Sequence, residues 1–195
     1  MSEHSVPFAS AEAWEAWLAE HHADADGIWV KFAKKASGIP TVVYKEAVHE
    51  ALRYGWIDGH TKRVDDDWYI QRFTPRRARS RWSKINCAKA EALIASGAMQ
   101  PAGLAEVERA KADGRWAAAY DAPSTATVPD DLRAALDRDR AASEFFDTLD
   151  ATNRYAILHR LQDGAKPETR ARRIEKFVTM LSRGETLYPL RRAAR

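Results

Sequence analysis

The chain has 195 residues, of which 45% are apolar and 30% charged, with a formal net charge of +3 and a single cysteine. This length suits one domain or two small ones, and one cysteine excludes an internal disulfide framework and a cysteine-rich zinc site. The N-terminal sequence MSEHSVPFAS lacks the features of a secretory signal. No apolar stretch approaches the roughly 20 residues of a membrane span. We therefore expect a cytoplasmic protein without a transmembrane segment.

The first half of the sequence mixes helix and strand signals. Trp14, Trp17 and Leu18 have the spacing of one helix face, and Ser10 suits the N-cap of that helix. A second helix is predicted over residues 44–54, followed by Gly55 as a C-terminal cap. Three short strands are predicted at residues 28–32, 56–58 and 68–73, with the polar run of residues 59–67 as a connection.

The second half is predicted to be nearly all helical. Pro101 suits the first turn of a helix, and the sequence DAPSTAT of residues 121–127 suits a linker. Ala142, Phe145, Phe146 and Leu149 then have amphipathic helical spacing. These signals predict an α+β fold, with a small antiparallel sheet packed with helices over residues 1–120. A C-terminal helical module over residues 128–195 follows the linker.

The most informative stretch is YGWIDGHTKRVDDDWYIQRFTPRRARSRWSKIN, residues 54–86. Residues 72–89 include seven basic side chains and no acidic one. Guanidinium groups match phosphate and carboxylate, tryptophans can stack on a ring, and a helix that begins near Ser83 would add exposed amides. We therefore predict a ligand- or anion-binding surface formed by Trp56, Asp58, Arg72, Arg76, Arg77, Arg79, Arg81, Trp82, Ser83, Lys84 and Asn86.

The members of this surface are expected to have different roles. The arginines would hold an anion, Trp56 and Trp82 would wall the site, and Asp58 would orient an arginine or accept a ligand donor. Structural alternatives stay open for each: the arginines form a solvated face, the tryptophans pack in the core, or Asp58 neutralises Arg72 or Arg76 internally. The surface would bind an anionic or aromatic ligand or partner, which is either an anionic small molecule or a protein.

Other chemistry has little support in the sequence. The motifs of nucleotide-binding loops, serine hydrolases and zinc proteases are absent. A metal site from Asp58, His60 and residues 65–67 lacks calcium-loop spacing, and Cys87 is expected to pack inside a helix. We assign no catalytic residue, metal or cofactor. An enzyme that uses Asp58, His60, Cys87 and Tyr54 stays as a less favoured alternative.

Several motifs together resemble a known family. YGWIDG (54–59), RFTPRR (72–77), SRWSKIN (80–86), PAGL (101–104) and AKADGRW (110–116) are similar to motifs of the YdeI/OmpD-associated family. So are VPDDL (128–132), the FF pair (145–146) and AKPETRARRI (165–174). The resemblance covers nearly the whole chain. It implies a YjbR/CyaY-like N-terminal part and a helical C-terminal module.

Our leading hypothesis is a non-enzymatic cytosolic stress or resistance factor. The resemblance implies a protein of the bacteriocin-protection type, linked to antimicrobial-peptide resistance and to an outer-membrane porin. It implies no reaction and no catalytic residues. A nucleic-acid-binding protein is the main alternative. It would use the same basic residues together with Arg170, Arg172, Arg173 and Lys176, which form a second basic cluster.

Overall fold

A computed structural model of the chain describes residues 5–162 and 166–190. The chain divides into two compact units, with the boundary between Ala119 and Tyr120. We call the part before this boundary the N-terminal unit and the part after it the C-terminal unit. Ala165, the first residue of the AKPETRARRI motif, lies outside the described residues.

The N-terminal unit contains a mixed sheet, and the predicted α+β class is confirmed. Its strands are β1 (Ser5–Pro7), β2 (Ile28–Ala33), β3 (Trp56–Arg63) and β4 (Trp68–Pro75), in the order β1-β2-β4-β3. The β2–β4 and β3–β4 pairs are antiparallel, as expected. In addition, β1 pairs in parallel with β2, which the sequence did not predict.

The polar run after Asp58 is strand as far as Arg63, whereas the sequence suggested a connection. The ladder shifts register between Asp58 and Thr61, which marks a bulge. Because β3 pairs with β4 alone at the edge of the sheet, its polar side chains can stay in solvent, and β3 therefore shows no apolar alternation.

The helices of the N-terminal unit begin and end where local signals place them. Ser10 caps the first helix, since its Oγ accepts a hydrogen bond from the Ala13 amide at 3.3 Å. Gly55 has a φ of 74°, the left-handed conformation expected after a helix. The helices are α1 (Ala11–His21), α2 (Tyr44–Arg53), α3 (Lys84–Ala95) and α4 (Pro101–Ala112), with a short 3-10 helix at Lys35–Ser37.

Two apolar clusters hold this unit together. In the first, Trp14 is fully buried, contacts Phe73 of the sheet at 5.5 Å between ring centroids, and donates from Nε1 to the Ala47 carbonyl at 3.0 Å. Helices α1 and α2 therefore cover one face of the sheet. The second cluster joins α2, α3 and α4 through residues that include Leu52, Trp82 and Val107.

The C-terminal unit is helical, as predicted. Its helices are α5 (Asp130–Leu136), α6 (Arg140–Thr148), α7 (Ala151–Gln162) and α8 (Pro167–Ser182). Their core includes Phe146, Leu161 and Leu181, which are fully buried. Asp121, the first residue of the predicted linker, is held to α7 because its carbonyl accepts from the Tyr155 hydroxyl at 2.9 Å.

Candidate functional site

The basic segment, which we define as residues 76–84, connects β4 to α3. Trp82 lies at its centre and is 1% exposed. The guanidinium carbon of Arg76 lies 3.7 Å from the centroid of the Trp82 ring, and the Trp116 ring lies 4.9 Å away on centroids. Arg76 itself is 5% exposed. Arg76 and Trp82 were both expected to face a ligand. Instead they are buried between α3 and the chain after α4, where they stabilise the fold.

Backbone carbonyls of the basic segment are held by arginine side chains. Arg76 Nη1 donates to the Arg81 carbonyl at 3.1 Å, and Arg115 Nη1 donates to the Ser80 carbonyl at 2.8 Å. Arg109 Nη2 reaches the Arg76 carbonyl at 3.4 Å. Charge-assisted hydrogen bonds of this kind are stronger than neutral ones. The conformation of the basic segment is therefore set by cations that point inward.

Arg115 and Trp116 were not among the predicted site residues, although the sequence contained a signal for them. Both belong to the AKADGRW motif, and the structure brings this motif against the basic segment. Two motifs that are distant in sequence therefore form one structural unit.

The remaining cations of the basic segment point outward. Arg77, Arg79 and Lys84 are exposed, and Arg81 is partly buried. All four belong to residues 72–89, which include no acidic residue. They are the part of the predicted surface that a partner can reach.

Ser83 and Asn86 form the start of α3. Ser83 Oγ accepts from the Asn86 amide at 3.1 Å, so Ser83 is an N-cap and not an open ligand contact. The first turn of α3 has no acidic residue. The partial positive charge of this helix end therefore adds to that of Lys84.

Trp56 and Asp58 have partners of their own inside the fold. Trp56 is 1% exposed and donates from Nε1 to the His22 carbonyl at 3.2 Å, so it does not wall an open site. Asp58 Oδ2 accepts from the Tyr44 hydroxyl at 2.7 Å. Burial, followed by the hydrogen bond to Asp58, raises the pKa of Tyr44.

Asp58 and Arg76 share a cleft without forming a ligand pocket. Together with Asn86 they line a narrow space beside Trp56, which is too tight to admit a water molecule. Asp58 and Arg76 therefore face a closed space here and not an open pocket.

Arg72 lies away from the basic segment, on the outer face of the sheet. It pairs with Trp29 across β2 and β4, and its guanidinium carbon is 5.9 Å from the Trp29 ring centroid. The Trp29 side chain is only partly buried. The alternation of Ile28, Val30 and Phe32 was the signal that points Trp29 to the other face.

Cys87 provides no support for a catalytic thiolate. It is 8% exposed, and burial raises the pKa of its thiol to about 11 despite the opposing charge of Arg76. The thiol is therefore neutral at physiological pH.

We expect iodoacetamide to alkylate Cys87 at pH 8 at least tenfold more slowly in the folded protein than in the urea-unfolded chain. A rise in pKa from 9.0 to about 11 lowers the thiolate fraction about a hundredfold, and the greater nucleophilicity of the more basic thiolate restores about tenfold. Since the folded state favours the neutral thiol, this group stabilises the fold below pH 9 and stabilises it less as the pH rises from 9 towards 11. Equal rates in the two states would contradict the assignment.

Two of the four residues of the second basic cluster, Arg170 and Arg173, make contacts within the C-terminal unit. Arg170 donates to both carboxylate oxygens of Asp131, at 2.5 and 2.8 Å, and to the Leu161 carbonyl at 2.7 Å. The hydrogen bond from Arg170 is the main cause that lowers the pKa of Asp131. Arg173 Nη1 donates to the Arg160 carbonyl at 2.5 Å. These contacts hold α8 against α5 and α7, whereas Arg172 and Lys176 are exposed.

Residues 5–162 and 166–190 contain neither a cluster of metal ligands nor a membrane-spanning helix. No group of three or more His, Cys, Asp or Glu side chains within these ranges could hold a metal ion. Across the same ranges, no helix is both long enough and apolar enough to cross a membrane.

Comparison with known proteins gives two family matches. Residues 125–184 match the family described as Bacteriocin-protection, YdeI or OmpD-Associated. That match covers the C-terminal part, whereas the sequence motifs suggested nearly the whole chain, and the YjbR/CyaY-like superfamily is not among the matches. No curated protein and no solved structure matches the chain. Residues 6–106, just over half of the chain, match a second model, and the chain therefore belongs to the family described as Domain of unknown function (DUF8412).

Proposed function

We propose that the chain is a non-enzymatic cytoplasmic protein of the bacteriocin-protection type that binds an anionic partner through the exposed cations of the basic segment. The observation that carries this proposal is the arrangement of Arg77, Arg79 and Lys84, which are exposed on a loop whose backbone is braced from inside. The match of residues 125–184 to the bacteriocin-protection family supports the biological role.

The bracing matters because it lowers the cost of binding. A flexible loop loses conformational freedom when it captures a partner, which reduces affinity. Here Arg76 stacks on Trp82, and Arg115 donates to the Ser80 carbonyl, so contacts within the chain hold the loop. The outward-facing cations are therefore presented on a preorganised backbone.

The chemistry of these side chains favours carboxylate or phosphate groups. Arg77 and Arg79 offer planar, forked donors, and Lys84 adds a point charge at the first turn of α3. The start of α3 contributes a partial positive charge in the same place. An acidic protein surface or a phosphorylated small molecule fits this combination.

The proposal is tested by survival of bacteria exposed to a bacteriocin while they express the chain. We expect the triple variant R77A/R79A/K84A to lose most of the protection that the unchanged chain gives. A matched control, K45A/R133A/R138A, removes three exposed cations elsewhere and should protect normally. Since surface substitutions change stability little, both variants should melt within about 2 °C of the parent.

Full protection by R77A/R79A/K84A would contradict the role of the basic segment. Equal loss of protection in the control variant would show that net charge, and not this segment, is what matters.

A further inference from the structure

The outer face of the sheet, opposite the face covered by α1 and α2, carries alternating aromatic and basic side chains. The residues that strand alternation and register place there include two tryptophans, both only partly buried, three basic residues, and Ile70, which is 6% exposed. The six, which we call the outer sheet face, are Trp29, Lys31, Lys62, Trp68, Ile70 and Arg72.

Cations lie directly over both tryptophan rings. Lys31 Nζ is 4.4 Å from the centroid of the Trp68 ring, and Lys62 Nζ is 4.7 Å from that of Trp29. The Arg72 guanidinium carbon is 5.9 Å from the Trp29 centroid. Each flat aromatic surface therefore has a positive charge beside it.

The charge of this face has one sign. Within the described strands, the positions that alternation places on the outer sheet face include no acidic residue. Lys31, Lys62 and Arg72 thus produce a positive field over a sheet that offers aromatic surface. The complement of such a surface is a polyanion that also carries planar, apolar rings.

We propose that the outer sheet face binds single-stranded nucleic acid, with bases stacked on Trp29 and Trp68 and phosphates held by Lys31, Lys62 and Arg72. Proteins that bind single strands without sequence preference combine stacking aromatic residues with a basic groove. A duplex does not fit, because its bases are already stacked on one another and not available to the rings.

The cation–π contacts now present over the tryptophans can be replaced by stacked bases. An exposed cation–π contact is weaker than the stacking of a base on an aromatic ring. A base can therefore replace the ammonium group of Lys31 over Trp68, and the lysine can then turn to a phosphate.

The spacing of the tryptophans allows them to bind different bases. Trp68 pairs with Ala33, which lies on the same strand as Trp29. At the rise of an extended strand, these positions are about 13 Å apart along the sheet. One base cannot cover both rings, so the strand would cross the sheet and contact the two rings with separate nucleotides.

The test is fluorescence anisotropy at low salt with labelled dT8 and U8. We expect the full chain to bind at least one of them, and a preference between them identifies DNA or RNA as the better ligand. The variant W29A/W68A should lose affinity at least tenfold, since each lost stack weakens binding about fivefold or more. W29F/W68F, which keeps an aromatic ring at both sites, should recover most of that loss.

Two further arms identify the groups involved. K31A should reduce the slope of log affinity against log salt by about 0.7, the value for one phosphate contact to a single strand. R77A/R79A/K84A should weaken oligonucleotide binding much less than W29A/W68A does, because the basic segment is not part of the outer sheet face.

Several results would overturn the proposal. The first is that neither dT8 nor U8 binds at low salt. The second is that W29A/W68A binds as tightly as the parent. The third is that R77A/R79A/K84A loses the affinity that W29A/W68A was expected to lose. Binding of octa-aspartate as tight as that of the oligonucleotides, and unaffected by W29A/W68A, would show a surface for acidic peptides instead. None of these results bears on the survival assay, so the two proposals succeed or fail separately.

Discussion

Replacing Trp82 with alanine is expected to lower the free energy of unfolding of the N-terminal unit by about 3–5 kcal/mol, the usual cost of deleting a buried tryptophan. The ring is 1% exposed and packs against Trp116. Its removal would also leave the Arg76 guanidinium, 3.7 Å from the ring centroid, in a cavity. A buried charge that loses its neighbour adds to the loss.

Tryptophan fluorescence during urea unfolding provides the measurement. All seven tryptophans precede residue 120, so the signal reports the N-terminal unit. W29A is the matched control, because it removes a ring of the same type from a partly buried position, and it should cost less than half as much. If W82A and W29A destabilise the protein equally, Trp82 is not the framework residue that we describe.

W82F should be much less destabilising than W82A. Phenylalanine keeps an aromatic ring beneath Arg76 and against Trp116. Among the described residues, moreover, the Trp82 Nε1 group is buried without a hydrogen-bond acceptor. Phenylalanine therefore loses volume but no hydrogen bond.

Replacing Gly103 with alanine is expected to destabilise the N-terminal unit by about 1–3 kcal/mol, the range for overpacked sites. A Cβ at this position would lie 2.2 Å from the Arg53 carbonyl oxygen and 2.5 Å from Met99 Sδ. Because one neighbour is backbone, a side-chain rotation cannot relieve the clash. Gly103 allows α4 to approach the end of α2 closely.

The sign of this change is informative, because helix propensity alone would make alanine stabilising by up to about 1 kcal/mol. The control A105G changes an exposed residue of the same helix and should cost about 0.5–1 kcal/mol through propensity. Urea unfolding followed by tryptophan fluorescence measures both variants. A higher unfolding midpoint for G103A would contradict the close approach of α2 and α4.

Helices with local signals could be predicted from the sequence. The spacing of Trp14 and Leu18 after Ser10 gave α1, and Pro101 marked the start of α4. Strand β1 could not be predicted in this way. It has only three residues, and its pairing with β2 depends on contacts that are remote in sequence. A short strand of this kind has no alternation to detect.

The roles expected for individual residues of the candidate site differ from their burial in the structure. The sequence identified the acid-free run that includes Arg76 and Arg77, which the structure divides into a buried and an exposed residue. No local pattern distinguishes these neighbours. The burial of Arg76 depends on Trp82 and on Trp116, which tertiary folding brings beneath it.

The central claim is that one braced segment presents Arg77, Arg79 and Lys84 to an anion. Titration of the nitrogen-15-labelled protein with tripolyphosphate, followed by amide chemical shifts, tests it most directly. We predict shift changes concentrated at residues 77–86 in the parent and in K45A/R133A/R138A, and their loss in R77A/R79A/K84A. Changes that persist in R77A/R79A/K84A, or the absence of any change at residues 77–86 in the parent, would contradict the claim.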